Sequence, residues 1–328
     1  MELGKSWLTR VAVAVLLVTV IATPAVRGGS KATGIDGGEK TGMTIGQAII
    51  LGVVEGLTEY LPVSSTGHLL LAERALGIGY DDSASPAQQQ RTKDAADAYT
   101  ICIQAGAIIA VLGLYFRRVR QMLRGLAGRE PDGLQLLINV AAGFLPAAVV
   151  GLLFNKLIKS YLFGPWPVVI AWFAGGVAIL AVAWRNRGNQ ERMRTAMPLE
   201  DLTWRMALII GFAQCFAMWP GVSRSLVTIV GGLLVGLSLP AAVEYSFLLG
   251  VVTLGAATAY EALKQGQMML QTFDAASLAV GVLFAFVSAV ASVKWMVAYL
   301  NRHGLAIFGY YRVGLALVTG LLLTMGIM

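Results

Sequence analysis

Residues 55–68 read Glu-Gly-Leu-Thr-Glu-Tyr-Leu-Pro-Val-Ser-Ser-Thr-Gly-His and interrupt an apolar stretch that extends over 44–76. A second apolar stretch, 206–236, is interrupted by Trp-Pro-Gly-Val-Ser-Arg-Ser at 219–225. Irregular backbone at membrane depth is tolerated only where it is buried in protein or lines a water-filled cavity. Both stretches are therefore predicted to be re-entrant helical hairpins around a site.

The rest of the chain predicts membrane-spanning helices. Of 328 residues, 57% are hydrophobic and only 13% are charged, and the mean hydropathy is +0.70. This composition argues against a soluble enzyme. Runs near the roughly 20 residues that cross a bilayer as a helix lie at 98–116, 135–154, 167–184, 241–263, 276–298 and 313–328. The predicted fold class is an all-α polytopic membrane protein with six transmembrane helices and two re-entrant helical hairpins.

The two interrupted stretches resemble each other when one is laid on the other so that Ser64 aligns with Ser223. Each half would contain one hairpin and three spans. An odd number of spans places the halves in opposite orientation, as in transporters built from inverted-topology repeats. Repeat one is expected at about 43–166 and repeat two at about 167–328.

The first residues have the layout of a secretory signal, with Lys5 and Arg10 ahead of an apolar run. Residues 1–27 are predicted to be a signal peptide or signal anchor. Residues 28–42 are rich in Gly, Lys and Thr and are predicted to be a flexible linker. The membrane domain is then expected to occupy 43–328.

The net charge is +7, and the arginines are concentrated in short loops, so their positions indicate how the chain is oriented in the membrane. Loops 117–129 and 185–205 are arginine-rich and are expected to be cytoplasmic, whereas the aspartate-containing loop 77–97 is expected to be external. The N-terminus of the core and the C-terminus then lie outside, on the periplasmic side. No nucleic-acid partner is expected.

Two acids, Glu55 and Glu59, lie four residues apart and project from one face of the first half-helix. An acid at membrane depth costs about 2.5–3.5 kcal/mol on insertion scales. The pair therefore indicates a bound cation, and a protonated pair bonded to other helices is the alternative.

Ser64, Ser65 and Thr66 stand at the first break, where a helix N-terminus can bind an anion. Simple N-capping is the alternative for these hydroxyls. His68 follows Ser65 by three residues and could exchange a proton with a hydroxyl, although a lone histidine can also serve packing alone.

The second break contains Ser223, Arg224 and Ser225, with Thr228 one turn further on. An arginine at membrane depth needs an acidic or phosphate partner, and its planar fork suits phosphate oxygens. A salt bridge to either acid of the first hairpin is the alternative.

The stretches 55–68 and 219–225 closely resemble the two signatures of the undecaprenyl-diphosphatase family, also called bacitracin-resistance proteins. The resemblance extends from about Met43 to the C-terminus and includes Ile-Gln-Ala-Gly at 103–106 and Glu-Tyr-Ser-Phe-Leu-Leu at 244–249. It leaves only the first forty or so residues uncovered.

The resemblance implies a bacterial inner-membrane phosphatase that hydrolyses undecaprenyl diphosphate to undecaprenyl phosphate and inorganic phosphate. This reaction recycles the lipid carrier for peptidoglycan and confers bacitracin resistance. A divalent metal, Mg²⁺ or Ca²⁺, is implied, with Glu55 and Glu59 as its ligands. The implied catalytic residues are Glu59, Ser65, His68 and Arg224. The implied phosphate-binding residues are Ser64, Thr66, Ser223, Ser225 and Thr228. A homodimer is left open.

The residues alone leave a secondary transporter or lipid flippase as an alternative, because inverted repeats and broken helices are typical of both. An ion-coupled antibiotic exporter is a third interpretation. Hydrolysis is favoured because phosphoryl transfer needs a nucleophile and a proton relay, which the first break offers. Ser65 is the expected nucleophile, and metal-bound water is its competitor.

Overall fold

The computed structural model describes residues 43–78, 85–185 and 195–326, and in these ranges it consists of helices joined by turns. A single bridge between Met197 and Leu237 is the only β-type pairing among them. The predicted signal segment 1–27 and linker 28–42 lie outside the described residues.

Eleven α-helices are present in the described ranges. They are α1 (Ile45–Thr58), α2 (Ser65–Ala75), α3 (Pro86–Leu114), α4 (Phe116–Leu126), α5 (Pro131–Leu162), α6 (Pro165–Arg185), α7 (Trp204–Cys215), α8 (Arg224–Leu234), α9 (Leu239–Thr272), α10 (Ala275–His303) and α11 (Ala306–Thr324). Six of them, α3, α5, α6, α9, α10 and α11, are long and apolar enough to cross a membrane. The predicted all-α polytopic class with six spans is therefore confirmed.

The prediction of a loop at 77–97 is wrong at its C-terminal end, because α3 already begins at Pro86. Ser85 caps this helix and forms a reciprocal capping box with Gln88, which stabilises a polar first turn that hydropathy does not detect. Residues 79–84 of the predicted loop lie outside the described part of the chain.

The second predicted loop, 117–129, is also wrong, because most of it belongs to α4. This helix presents its arginines on one side and packs against α5 on the other, and Arg118 forms ion pairs of 2.8 Å with Glu200 and with Glu244 of α9. An amphipathic surface helix and a charged loop have similar composition. The last span likewise begins at Ala306 rather than at 313, because Arg312 lies inside α11.

The two pairs of short helices are equivalent. When Ser64 is aligned with Ser223, the first residue of α1 falls on the first residue of α7. The first and last residues of α2 likewise fall on those of α8. Ser64 and Ser223, which precede α2 and α8, both have positive φ, at 73° and 76°, and no other non-glycine residue in the described ranges does. The aligned turns therefore share an uncommon backbone conformation as well as a sequence pattern.

Packing repeats in the same way. The helix α1 packs on α10, the second span of the other half, and α7 packs on α5, the second span of the first half. Gly52 and Gly211 allow this close approach: a Cβ atom would lie 2.4 Å from a carbonyl oxygen of α10 in the first case and 2.5 Å from one of α5 in the second. Three candidate spans, α3, α5 and α6, separate the two pairs, and an odd number is compatible with re-entrant hairpins entering from opposite faces. Three spans in each half place the boundary between the repeats after α6, so the expected boundary at about 166 lies one span too early.

Candidate active site

The turns of the two helix pairs meet inside the protein. Ser225 Oγ, on α8, donates a hydrogen bond of 2.8 Å to the carbonyl oxygen of Leu61 in the first turn. Ser223 Oγ lies 3.0 Å from Ser225 Oγ and also accepts from the backbone N–H of Leu226. The second turn therefore uses its serines to bind the first turn and to cap its own helix.

A serine, a carboxylate and an arginine form a continuous group across this junction. Ser65 Oγ donates a hydrogen bond to Glu59 Oε2. The other carboxylate oxygen, Glu59 Oε1, accepts from Arg224 Nη2 at 3.3 Å. All three side chains are buried. Of the alternatives open for Arg224, the structure contains the salt bridge, and its partner is Glu59.

The guanidinium of Arg224 is held on several sides. Its Nη1 donates to the carbonyl oxygen of Ser246 in α9 at 2.9 Å, and its carbon lies 5.1 Å from the ring centre of Tyr60. Its Nε has no hydrogen-bond partner among the described residues, so one donor stays free for a ligand oxygen. A Cβ on Gly250 would lie 2.2 Å from Nη1, so this glycine provides the space for the arginine.

Glu55 is fully buried, and neither of its carboxylate oxygens has a hydrogen-bond partner in the described ranges. Two orphaned oxygens one helical turn from Glu59 suit a hard cation, since Mg²⁺ and Ca²⁺ bind oxygen ligands. No group of three or more histidine, cysteine or acidic residues that could hold a metal is found in the described part of the chain. Glu55 and Glu59 are the described residues that could hold such an ion.

Both ring nitrogens of His68 are bonded to groups other than Ser65. Its Nδ1 lies 2.6 Å from the carbonyl oxygen of Ser64, and its Nε2 lies 2.7 Å from the hydroxyl of Tyr311 on α11. A carbonyl can only accept, so Nδ1 carries a proton, and in the neutral ring Nε2 accepts from the hydroxyl of Tyr311. The rings of His68 and Tyr311 stack with an interplanar angle of 6°. In this arrangement Glu59, and not His68, is bonded to the hydroxyl of Ser65.

The remaining predicted phosphate-binding residues occupy different places. Ser64 is buried at the first turn, and its side chain does not cap α2. Thr66 is exposed at the start of α2. Thr228 lies deeper in α8, where its Oγ1 donates to the carbonyl oxygen of Arg224 and lies 2.6 Å from Ser246 Oγ. Its contacts fasten α8 to α9.

Sequence reasoning missed three residues that contact the predicted site residues, and two of them, Ser246 and Tyr311, lie on distant helices. Tyr60 and Ser246 hold Arg224, and Tyr311 holds His68. Tyr60 lies within the first signature and could have been singled out. Tyr311 lies far along the chain from its histidine partner, and no local pattern marks it.

The fold and the site define an integral membrane protein in which two equivalent helix pairs bring together a buried serine, two acids and an arginine. Residues 48–318 match the family of bacitracin resistance protein BacA. The chain belongs to this family.

Curated relatives agree with the family. The chain is 46% identical to the undecaprenyl-diphosphatase of Sorangium cellulosum over 269 residues, which is 82% of this chain and 83% of the relative. It is 42% identical to the undecaprenyl-diphosphatase of Nitrosomonas europaea over 83% of this chain and 92% of the relative. It is 43% identical to undecaprenyl-diphosphatase 1 of Paraburkholderia xenovorans over the same shares.

Proposed function

We propose that this protein is an undecaprenyl-diphosphate phosphatase of the bacterial inner membrane, which returns the lipid carrier as undecaprenyl phosphate and releases inorganic phosphate. The names of its relatives support the substrate, and the BacA family supports bacitracin resistance. The observation that carries the proposal is the hydrogen bond from Ser65 to Glu59, because it joins a nucleophile to a base.

The residues fit a two-step phosphoryl transfer. Ser65 Oγ attacks the terminal phosphorus while Glu59 accepts the hydroxyl proton. The bond between that phosphorus and the bridging oxygen breaks, and undecaprenyl phosphate leaves. Water then attacks the phosphorus of the phosphoserine, the bond between that phosphorus and Ser65 Oγ breaks, and Glu59 returns its proton to Oγ. The protons of the water leave with inorganic phosphate, so Ser65 and Glu59 are restored.

Arg224 binds the negatively charged phosphoryl group in both steps. It stands at the first position of α8, across the junction from Ser65, which has the first position of α2. A phosphoryl group between them would also face the backbone N–H groups of two helix N-termini, which favour anions. Ser64 and Ser223 lie at these N-termini, and Thr66 follows on the exposed side.

Glu55 and Glu59 are the residues that would hold a divalent cation, Mg²⁺ or Ca²⁺. When bound, such an ion neutralises the negative charge of the phosphate, which the two carboxylates would otherwise repel. Chelation is expected to abolish turnover. Full activity in excess chelator would reassign Glu55 to a structural role.

The experiment that tests the mechanism is the Ser65→Ala variant in purified protein. Loss of a nucleophile should lower turnover by several orders of magnitude, about 10⁴-fold or more, whereas loss of one hydrogen-bond donor should lower it by about 10²–10³-fold. The parent enzyme, quenched during turnover, should yield phosphoserine at residue 65. Substantial activity of the variant without trapped phosphoserine would indicate attack by metal-bound water.

A transporter or exporter is distinguished by the same preparation. An enzyme in detergent releases phosphate from undecaprenyl diphosphate without a second compartment, and a flippase does not. The Ser65–Glu59 contact favours the enzyme, because transport of an anion needs donors and does not need a nucleophile paired with a base.

The proposed orientation places α4 and residues 185–205 in the cytoplasm, and the start of α3 and both ends of the membrane domain outside. The arginines of α4 and of the region that follows α6 support it, since basic residues are retained on the cytoplasmic side. Oligomeric state does not enter this proposal.

A further inference from the structure

Arg312 is a fully buried arginine in the middle of α11, and the mechanism above does not use it. Its guanidinium donates four hydrogen bonds, all to backbone carbonyl oxygens. The acceptors are Pro62 at 3.3 Å, Ala171 at 2.9 Å, Trp172 at 3.3 Å and Gly221 at 2.8 Å. Two of them belong to α6, and the other two belong to the turns of the two helix pairs.

The two turn carbonyls are equivalent. Pro62 aligns with Gly221 in the same alignment that pairs Ser64 with Ser223, because each lies two positions before its positive-φ serine. One guanidinium therefore binds the same position in both repeats.

Two of the four bonds hold turn carbonyls that no helix satisfies. Carbonyls in the turns lie outside α1, α2, α7 and α8, and a buried carbonyl without a partner is unfavourable. The forked donors of an arginine can bridge several acceptors at once, which the single ammonium group of a lysine does with less reach. Arg312 therefore fixes the first turn relative to the second and fixes both relative to α6.

The neighbouring helix leaves room for this side chain. A Cβ atom on Gly175, in α6, would lie 2.2 Å from Nη2 of Arg312. Gly175 thus offers a way to displace the guanidinium without removing its charge. The hydrogen bonds of Arg312 in the described residues all go to neutral carbonyls, so their strength depends on its position and not on a paired acid.

We propose that Arg312 is a positioning residue that holds the two turns in register, so that Ser65 and Glu59 of the first pair face Arg224 of the second. The proposal rests on the proposed phosphatase function for its kinetic consequence. Its structural consequence, that both turns loosen together, holds whatever the substrate is. Arg312 itself acts through the turns and does not touch the phosphate.

The test compares Arg312→Gln, Arg312→Lys and Gly175→Ala with the full-length parent in detergent. The control is Arg302→Gln, which removes an exposed arginine at the end of α10. Phosphate release is measured over a range of undecaprenyl diphosphate concentrations, and amide hydrogen exchange is measured on the same preparations without substrate. For Arg312→Gln, kcat should fall by about 10²-fold with KM within about threefold, as expected when bound groups are misplaced by about 1 Å.

Hydrogen exchange separates positioning from a general loss of stability. In Arg312→Gln, amides at 61–65 and at 221–225 should exchange faster together, while those in α3 and α9 keep the parent's rates. Arg312→Lys should recover only part of kcat, and the Arg302→Gln control should match the parent. Uniformly faster exchange over all helices would overturn the proposal in favour of a global structural role.

Kinetic outcomes are equally decisive. If Arg312→Gln is not recovered as folded protein, Gly175→Ala provides the kinetic test, and it should lower kcat while the charge remains. Parent-like kcat in either variant would overturn the proposal. A parent protein that releases no phosphate would overturn the proposed function, while joint loosening of the two turns would still support the role of Arg312.

Discussion

Glu55 and Glu59 differ in one measurable way: Glu59 accepts two buried hydrogen bonds, and Glu55 accepts none from the described residues. The variants Glu59→Gln and Glu55→Gln therefore make the same chemical change at one acid that accepts hydrogen bonds and at one that accepts none from the described residues. Each serves as the matched control of the other.

The expected effects on stability follow from these contacts. Ser65 and Arg224 donate to different oxygens of Glu59, and glutamine replaces one of these oxygens with an NH₂ donor, so Glu59→Gln loses one of the two hydrogen bonds at this geometry. The variant leaves a buried arginine without its carboxylate, and breaking such a pair costs about 3–5 kcal/mol. Glu55→Gln breaks no hydrogen bond and removes repulsion between two acids, so its free energy of unfolding without metal should not fall below the parent's.

The expected effects on activity also separate the two acids. Glu59→Gln removes the base and should lower kcat by about 10²–10⁴-fold even at saturating Mg²⁺. Glu55→Gln keeps the base, so its main defect should be a higher metal concentration for half-maximal rate. Phosphate release in detergent over a Mg²⁺ series measures both quantities, and thermal unfolding in chelator measures stability.

One pattern of results would refute this reasoning. If Glu55→Gln unfolds at a lower temperature than Glu59→Gln in chelator, the orphaned carboxylate must have partners that the structure lacks. If Glu59→Gln keeps the parent's kcat, Glu59 is not the base, and its hydrogen bond to Ser65 serves folding alone.

Three further results are expected. Tyr311→Phe keeps the ring stacked on His68 but removes a hydrogen bond, so the free energy of unfolding should fall by about 1 kcal/mol while kcat for phosphate release changes little. A loss of kcat above about tenfold would instead place His68 in the proton path. Gly211→Ala inserts a methyl group 2.5 Å from a carbonyl oxygen of α5, and should lower the unfolding temperature by several degrees because the close packing must open. Cysteines at Ala87 and Ala127, in a variant without the native cysteines, should be labelled by an impermeant maleimide from opposite sides of the membrane, and labelling from one side would overturn the proposed orientation.

The helix pairs were predictable because their breaks are local. Proline, glycine and serine within an apolar stretch mark a turn wherever the rest of the chain lies, and the turns appear between α1 and α2 and between α7 and α8. The acids were predictable for a similar reason, since a spacing of four residues sets one helical face. What could not be predicted is which acid binds the serine, because that depends on the angle of each turn.

Contacts between distant helices could not be predicted, because they have no local pattern in the sequence. The predicted last span begins at 313, one residue after Arg312, because a charge inside an apolar run reduces its hydropathy. The four carbonyl partners of Arg312 come from two turns and a third helix, and carbonyls carry no sequence signal. The helix α4 was missed because its exposed arginines resemble a loop.

The repeat also explains why equivalent positions of the two helix pairs have different residues at the site. Ser65 and Arg224 are the first residues of the equivalent helices α2 and α8, so the proposed nucleophile and the arginine proposed to bind the phosphoryl group occupy the same position in the two pairs. Two serines at these positions would leave the phosphate oxygens without a guanidinium to bind them, and two arginines would repel each other and provide no nucleophile. The residues that set the backbone, such as Ser64 and Ser223, can be identical, whereas the residues that face each other across the junction must differ. A pair of equivalent helix N-termini thus becomes one asymmetric phosphate site.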